Sequence, residues 1–276
     1  MKQQNKAALL AFLGGIVWSF SGLLSKLVPW SSFSLVGLRG VVATVILGLC
    51  RGSFSVRPNK AMWLNALGIS VTSLLYMSAI RLTNTANAIV LQYTAPVFVI
   101  LYLFVIKKQT PRKSEVIGAA FVALGVILCF SGGIAKGNTF GNLLGLLSGV
   151  TYSVVFLSAR ASGNDPVDGV YLGTLISCVM LVTVPFDRSF RPDLPQLAVM
   201  LCLGASLGLG YLFLSLGMRC GLSPLRSCVI SNVEPVMNPV WVFLFLGESP
   251  GTASILGAAV VLLAVTGQSI YEAMKA

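Results

Sequence analysis

The chain has 276 residues, of which 56% are hydrophobic and only 10% are charged, and its mean hydropathy is +0.88. Soluble domains carry about 25% charged residues, so this composition excludes a water-soluble globular protein. The net charge of +11 does not indicate nucleic-acid binding, because the basic residues lie mainly in short segments between apolar stretches. Since lipid offers the backbone no hydrogen-bond partners, the sequence predicts an all-α polytopic membrane protein.

Ten stretches along the chain are apolar enough to cross a bilayer, which takes about 20 predominantly apolar residues. Short loops rich in proline, glycine and asparagine separate them, and none is long enough to form a soluble domain. We therefore predict ten transmembrane helices, at residues 7–27, 33–50, 61–80, 86–106, 115–132, 140–159, 168–185, 196–217, 223–246 and 252–271.

The basic residues predict the direction in which the chain crosses the membrane. Ten spans place both termini on the same side. If that side is the cytoplasm, 13 of the 19 Lys and Arg residues flank inner ends of spans, five flank outer ends, and Arg39 lies within a span. Basic residues accumulate in cytoplasmic loops. We therefore expect a multi-pass protein of the inner (cytoplasmic) membrane with both termini in the cytoplasm.

The two halves of the chain resemble each other. Residues 94–98 in span four match residues 233–237 in span nine, and residues 117–120 in span five match residues 256–259 in span ten, both at a separation of 139 residues. These matches predict two five-helix repeats, residues 1–134 and 135–276, within one integrated membrane domain. Because five is odd, the second repeat is inverted, and inverted repeats typically enclose a substrate site near the bilayer midplane.

Several segments point to a known family. They are Trp18 in span one, Leu38 and Arg39 in span two, Ala-Pro-Val at 95–97, and Glu-Pro-Val at 234–236, followed by Leu-Gly-Glu at 246–248. On these residues the chain resembles the ten-helix EamA-type permeases of the drug/metabolite transporter superfamily over nearly its whole length. The resemblance implies a basket-like bundle with a central cavity walled by spans one, three, four, six, eight and nine. It also implies transport of amino acids, nucleotide-related metabolites, choline-like cations or drugs, often outward.

Two ionisable residues lie well inside the predicted spans, Arg39 in span two and Glu234 in span nine. A charge at the centre of a membrane helix costs about 2.5–3.5 kcal/mol and by default marks a functional site. One interpretation is that the two residues neutralise each other. Another is that Glu234 binds a substrate amine or a proton while Arg39 binds a carboxylate. A purely structural role for both is the third.

Polar and aromatic side chains near the mid-span prolines complete the predicted site. A proline bends its helix and frees a backbone carbonyl, which then needs a partner from another helix, water or a ligand. Aromatic faces stack on flat apolar cargo or hold cations over their rings. Besides Glu234, the candidate substrate-binding residues are Trp18, Tyr76, Asn87, Gln92, Tyr93, Tyr152, Tyr211, Asn232 and Asn238.

Other classes of function find little support in the sequence. It has no histidine, no Cys-x-x-Cys pair and no phosphate-binding GxxxxGK[ST] loop, so we expect neither an enzyme nor an ATP-driven motor, and no metal or cofactor. We expect a secondary transporter that exports an amino acid or related compound by alternating access. Protons are a candidate coupling ion, lipid surrounds the protein, and it is a monomer or a homodimer. The alternatives are an uptake carrier that holds choline-like quaternary amines in an aromatic cage and a membrane protein that transports nothing.

Overall fold

The computed structural model describes residues 2–83, 85–131, 138–159, 165–246 and 252–275, and these residues contain no β-strand. They form twelve α-helices: α1 Lys2–Lys26, α2 Ser32–Arg51, α3 Lys60–Leu82, α4 Thr85–Gln92, α5 Ala95–Leu101, α6 Lys113–Phe130, α7 Thr139–Ser158, α8 Pro166–Ser177, α9 Leu194–Arg219, α10 Pro224–Ser231, α11 Val233–Leu246 and α12 Thr252–Lys275. A π-helical turn, Tyr102–Ile106, extends α5, and a 3-10 segment, Cys178–Phe186, extends α8.

Helices cover all ten predicted spans, with ends that differ by a few residues; residue 132 of the fifth span lies outside the described residues. The fourth span consists of α4 and α5, and the ninth consists of α10 and α11. In the described part of the chain, seven helical segments are long and apolar enough to cross a membrane: residues 3–25, 32–51, 60–82, 87–106, 139–158, 166–186 and 194–219. The prediction of an all-helical multi-pass membrane protein is thus confirmed.

Polar residues in the loops determine where several helices begin. Ser31, Asn138, Asp165, Asp193 and Ser223 each accept a hydrogen bond from a backbone amide two or three residues further along the chain. Such caps satisfy amides that have no carbonyl partner in the first helical turn. A proline also occupies the first turn of α8, α9 and α10, where the missing amide is not needed.

The helices of the two halves of the chain pack against one another and share one core. α1 lies along α9 and also contacts α10 and α11, whereas α7 lies along α3 and also contacts α4 and α5. α2 packs on α8 and α9, α3 packs on α8, and α6 pairs with α12. The main apolar cluster therefore contains residues from both halves, including Ile69, Val99, Phe156, Leu214 and Val229.

Two spans are interrupted shortly before a proline. Tyr93 and Thr94 separate α4 from α5, and Asn232 separates α10 from α11. Pro96 and Pro235 follow, and proline has no amide with which to continue the hydrogen-bond pattern of the preceding turn. The two breaks lie at equivalent positions, since Tyr93 and Asn232 are separated by the same 139 residues that relate the two halves.

Each break lies against a glycine on a helix of the opposite half. A Cβ built on Gly149 of α7 would lie 2.8 Å from the carbonyl oxygen of Leu91, and one built on Gly15 of α1 would lie 3.2 Å from that of Ser231 and would overlap Val233. Any side chain at either glycine would therefore push the interrupted backbone away. Small residues let helices in a membrane approach closely, and here they bring α1 and α7 against the two breaks.

Asp187 joins the end of the 3-10 extension of α8 to the start of α2. Its Oδ2 accepts hydrogen bonds from the backbone amide of Ser31 at 2.9 Å and from the hydroxyl of Ser34 at 2.6 Å, and its Oδ1 accepts one from the amide of Ser189 at 3.0 Å. Partial burial raises the pKa of Asp187, but these hydrogen bonds outweigh it and hold the pKa below its usual range.

Replacing Asp187 should therefore loosen the contact between α2 and α8. We expect Asp187→Asn to lower the free energy of unfolding at pH 7 by about 1–3 kcal/mol, because buried donors lose their charged acceptor. A carboxyl group whose folded-state pKa is lowered contributes stability above its unfolded pKa, about 3.9, and loses it as the pH falls through the folded value. The difference from the wild-type protein should therefore stay constant from pH 7 to pH 5 and shrink below about pH 4.

Thermal unfolding of the detergent-purified protein measures this difference. Ser189→Ala is the matched control, because it keeps both contacts from Asp187 to the start of α2. Unfolding midpoints at pH 7 that are equal for Asp187→Asn and the wild-type protein would show that this carboxylate does not hold the two helices together.

Candidate functional site

A small cavity lies between the two halves, where the interrupted helices meet α1, α2, α3, α7 and α9. Its volume is about 50 Å³, which is room for a few water molecules. The lining contains aromatic rings, hydroxyl and amide groups, one guanidinium and one carboxylate. The lining residues are Trp18, Ser21, Arg39, Thr72, Ser73, Tyr76, Met77, Gln92, Tyr152, Leu207, Tyr211 and Glu234.

Aromatic rings from three helices form one side of the cavity. The ring of Trp18 on α1 meets the edge of Tyr211 on α9, with centroids 4.7 Å apart and planes at 83°. Tyr152 on α7 lies 6.4 Å from the same indole. The indole nitrogen of Trp18 donates to the carbonyl oxygen of Leu207 at 3.3 Å, so its orientation is set. Gly210 leaves the space for this ring, since a Cβ there would overlap the indole.

Arg39 brings a buried positive charge to the cavity. It lies on α2 with 4% of its surface exposed, and its Nε has no hydrogen-bond partner among the described residues. Buried charged groups are normally paired, because leaving water costs them much free energy. The Nε–H of Arg39 is therefore available to donate a hydrogen bond at the cavity.

Glu234 brings the opposite charge from α11. It lies in the first turn after the break at Asn232, is partly buried, and faces the cavity. Tyr93, at the break of the fourth span, lies beside its carboxylate. Arg39 also acts electrostatically on Glu234. The cavity thus holds one positive and one negative side chain, which come from different halves of the chain.

The amide side chains at the two breaks are also incompletely bonded. Gln92, the last residue of α4, lines the cavity, and its Oε1 accepts no hydrogen bond from the residues that the structure describes. Asn232 is fully buried, and neither its Nδ2 nor its Oδ1 bonds to another described residue. Unpaired polar atoms at a break in a membrane helix indicate a place for water or a ligand.

The structure brings most of the predicted site residues together. Seven of them line the cavity: Trp18, Arg39, Tyr76, Gln92, Tyr152, Tyr211 and Glu234. Tyr93 and Asn232 lie at the helix breaks beside it, where Tyr93 contacts Glu234.

Two further candidates do not join this group. Asn87 lies in the first turns of α4, more than a helical turn before Gln92, and donates to Asn142 of α7 at 3.3 Å. It is not among the residues that line the cavity, and its role in cargo binding stays a prediction. The side chain of Asn238 lies outside the described residues.

Five lining residues are not among the sequence-predicted candidates: Ser21, Thr72, Ser73, Met77 and Leu207. A helical spacing rule identifies four of them, because residues three or four apart share a helix face. Ser21 follows Trp18 by three residues, and Thr72 and Ser73 precede Tyr76 by four and three. Met77 follows Ser73 by four. Leu207 has no such signal and is placed by its carbonyl contact with Trp18.

Known proteins are similar to this chain in sequence and in fold. Over 276 aligned positions the chain is 21% identical to the aromatic amino acid exporter YddG of Ancylobacter novellus. The alignment covers 94% of this chain and 95% of the relative. It also superposes on a solved structure, described as a crystal structure of a protein, with a TM-score of 0.81 and 21% identity, covering 97% of this chain and 98% of the other. At this identity the structural likeness establishes the shared fold alone.

The sequence profile of one family matches the chain twice, over residues 5–131 and again over residues 139–269. The two matches together span nearly the entire chain, and each contains one of the interrupted helices. The fold, the cavity between the halves and this double match lead to one conclusion: the chain belongs to the EamA-like transporter family of the drug/metabolite transporter superfamily.

Proposed function

We propose that this transporter exports an amino acid, with aromatic amino acids as the favoured cargo. The observation that carries the proposal is that Arg39 and Glu234 both line one cavity, which is walled by Trp18, Tyr152 and Tyr211. A free amino acid has a carboxylate, an ammonium group and a side chain. The cavity offers a complementary group for each of the three.

Each of these contacts has a physical basis. The Nε of Arg39 lacks a partner, and a guanidinium binds a carboxylate through strong charge-assisted hydrogen bonds. The carboxylate of Glu234 attracts an ammonium group, and the tyrosine and tryptophan rings add favourable contacts with both a cation and a flat side chain. The name of the curated relative, an aromatic amino acid exporter, supports the same cargo class and the outward direction.

Arg39 also distinguishes this proposal from uptake of choline-like amines. A quaternary ammonium would share the small cavity with a buried guanidinium and would have only Glu234 to balance two positive charges. Like charges in a low-dielectric site repel strongly. A zwitterion avoids this penalty because it carries its own anion to Arg39. The aromatic wall alone would suit both ligands, so Arg39 decides in favour of the amino acid.

We infer that transport proceeds by alternating access between two inverted five-helix repeats, residues 1–134 and 135–276. Exchanging α1–α6 with α7–α12 converts the main packing pairs into observed pairs: α1 on α9 becomes α7 on α3, and α2 on α9 becomes α8 on α3. The equivalent helix breaks support the same symmetry. At about 50 Å³ the cavity is smaller than the roughly 300–1,000 Å³ of ligand pockets, so helices must move apart to admit cargo.

Placement in the membrane is part of the same proposal. We expect the inner membrane and cytoplasmic termini, because this orientation places 13 of the 19 Lys and Arg residues at the inner ends of the predicted spans. Glu234 is the candidate proton-binding group. A monomer and a homodimer both remain compatible with this mechanism.

The purified protein in proteoliposomes tests the proposed cargo. Vesicles loaded with unlabelled tryptophan or phenylalanine should accumulate external labelled tryptophan by exchange, whereas choline-loaded vesicles should not. Exchange of choline without exchange of aromatic amino acids would favour the quaternary-amine alternative. Absence of exchange with amino acids, amines and nucleosides alike would contradict transport of small metabolites.

Arg39 should recognise the carboxylate of the cargo. We expect wild-type protein to bind tryptophan more tightly than tryptamine, which lacks that group, and Arg39→Gln to lose this preference by about ten- to hundredfold, the weight of one hydrogen bond to a charged group. Competition against labelled tryptophan measures the affinities of tryptophan and tryptamine for each variant. Arg81→Gln is the matched control, since Arg81 is exposed in the last turn of α3 and does not line the cavity. An unchanged preference in Arg39→Gln would remove Arg39 from cargo binding.

Glu234 should make transport sensitive to pH. It is the carboxylate that lines the cavity, and its contact with Tyr93 links it to the other broken helix. We expect wild-type flux to vary with pH because this carboxylate can bind and release a proton, and Glu234→Gln flux to be the same at every pH. Glu115→Gln is the control, because Glu115 bonds to Arg112 and Ser223 away from the cavity. A variant Glu234→Gln that retains the wild-type pH profile would show that the proton binds elsewhere.

A further inference from the structure

A second, larger hollow lies on the outside of the helix bundle, between α6 and α12. Its volume is about 440 Å³, and its walls are predominantly apolar. Ile117 and Phe121 of α6 and Leu263 of α12 line it with 56%, 53% and 73% of their surfaces exposed. Lys113 and Tyr271 lie at one end. We refer to this hollow as the α6–α12 groove.

The groove exists because the two helices touch at one level and separate at another. A Cβ built on Gly125 of α6 would lie 2.9 Å from the carbonyl oxygen of Gly257 and 3.0 Å from the amide of Val261, so the helices are in close contact there. Towards the other end of the pair, no described atom lies within 4 Å of the Cβ position of Gly267. The groove is therefore closed at the Gly125 end and open at the Lys113 end.

The open end lies at the level of the lipid head groups. α6 has 18 residues, a length of about 27 Å, which nearly matches a hydrocarbon core about 30 Å thick. Lys113 is its first residue, so its ammonium group lies at the membrane surface while Ile117 and Phe121 lie in the acyl region. Lys107 and Lys108 precede it and are exposed as well.

Among the described residues that line the groove, Lys113 carries a positive charge and none is acidic. Glu115 is the carboxylate nearest to Lys113 in the sequence. One of its oxygens accepts a hydrogen bond from the backbone amide of Arg112, and the other accepts one from the hydroxyl of Ser223. Glu115 thus faces α10 rather than the groove, and the basic end remains complementary to an anion.

We propose that the α6–α12 groove binds one anionic phospholipid. An acyl chain lies along Ile117, Phe121 and Leu263, and the phosphate contacts Lys113, with Lys107 and Lys108 adding attraction. Basic pockets between membrane helices bind anionic head groups in this way. A second copy of the chain fits less well, because a two-fold interface brings the same patch of both copies together and would place these lysines against each other.

Native mass spectrometry of the full-length protein with equal amounts of phosphatidylglycerol and phosphatidylcholine of the same chain length tests this proposal. We expect the wild-type protein to retain one molecule of phosphatidylglycerol in preference to phosphatidylcholine. Lys113→Ala should weaken that preference about fivefold, the contribution of one basic residue near an anionic lipid. Gly267→Leu should fill the groove and reduce retention of the lipid. Lys60→Ala is the control, a lysine at the start of α3 that does not line the groove.

Three results would overturn the proposal. One is equal retention of the two lipids by the wild-type protein. Another is retention of phosphatidylglycerol that neither Lys113→Ala nor Gly267→Leu reduces. The third is a dimer that Gly267→Leu dissociates, which would assign the groove to a second copy. Because Lys113 is exposed and the site of Gly267 is open, both variants should fold, and unchanged unfolding midpoints verify this.

Discussion

The bilayer offers no hydrogen-bond partner to a polypeptide backbone, so an interrupted helix must be covered inside the protein. In this chain both interrupted helices are covered by a helix of the opposite half, and both contacts rely on a glycine. Gly15 lies against the break at Asn232, and Gly149 lies against the break at Tyr93 and Thr94. Because each half protects the break of the other, neither half is complete alone, and the cavity forms where the two sets of contacts meet.

The same arrangement explains how opposite charges come to lie together in an apolar bundle. Glu234 lies in the turn that follows one break, and Tyr93 at the other break lies beside it. Arg39 comes from α2, which packs on α8 and α9. The helix breaks turn side chains towards the centre that a continuous helix would place elsewhere.

The protein is lined with aromatic and polar groups at its centre and is apolar on its outer surface, as a bilayer requires. The two surfaces suit different ligands. The small central cavity has charged groups of both signs and matches a zwitterion, whereas the α6–α12 groove has an apolar wall and a basic end and matches an anionic amphiphile. They are built by different helices, so separate substitutions can test the two proposed ligands.

The sequence alone determined the helical membrane fold, the apolar helical segments, the irregularities near Pro96 and Pro235 and the two charged residues inside these segments. These features follow from local rules: apolar length, proline and the cost of intramembrane charge. Tertiary structure decided which polar side chains share the cavity. The cavity lining includes Leu207, which no helical spacing marks, whereas Asn87 bonds to Asn142 outside the lining. The physical reason is that the cavity is enclosed by helices far apart in the chain, and the contact of α1 with α9 or of α7 with α3 depends on the mutual fit of helix faces that no local pattern specifies.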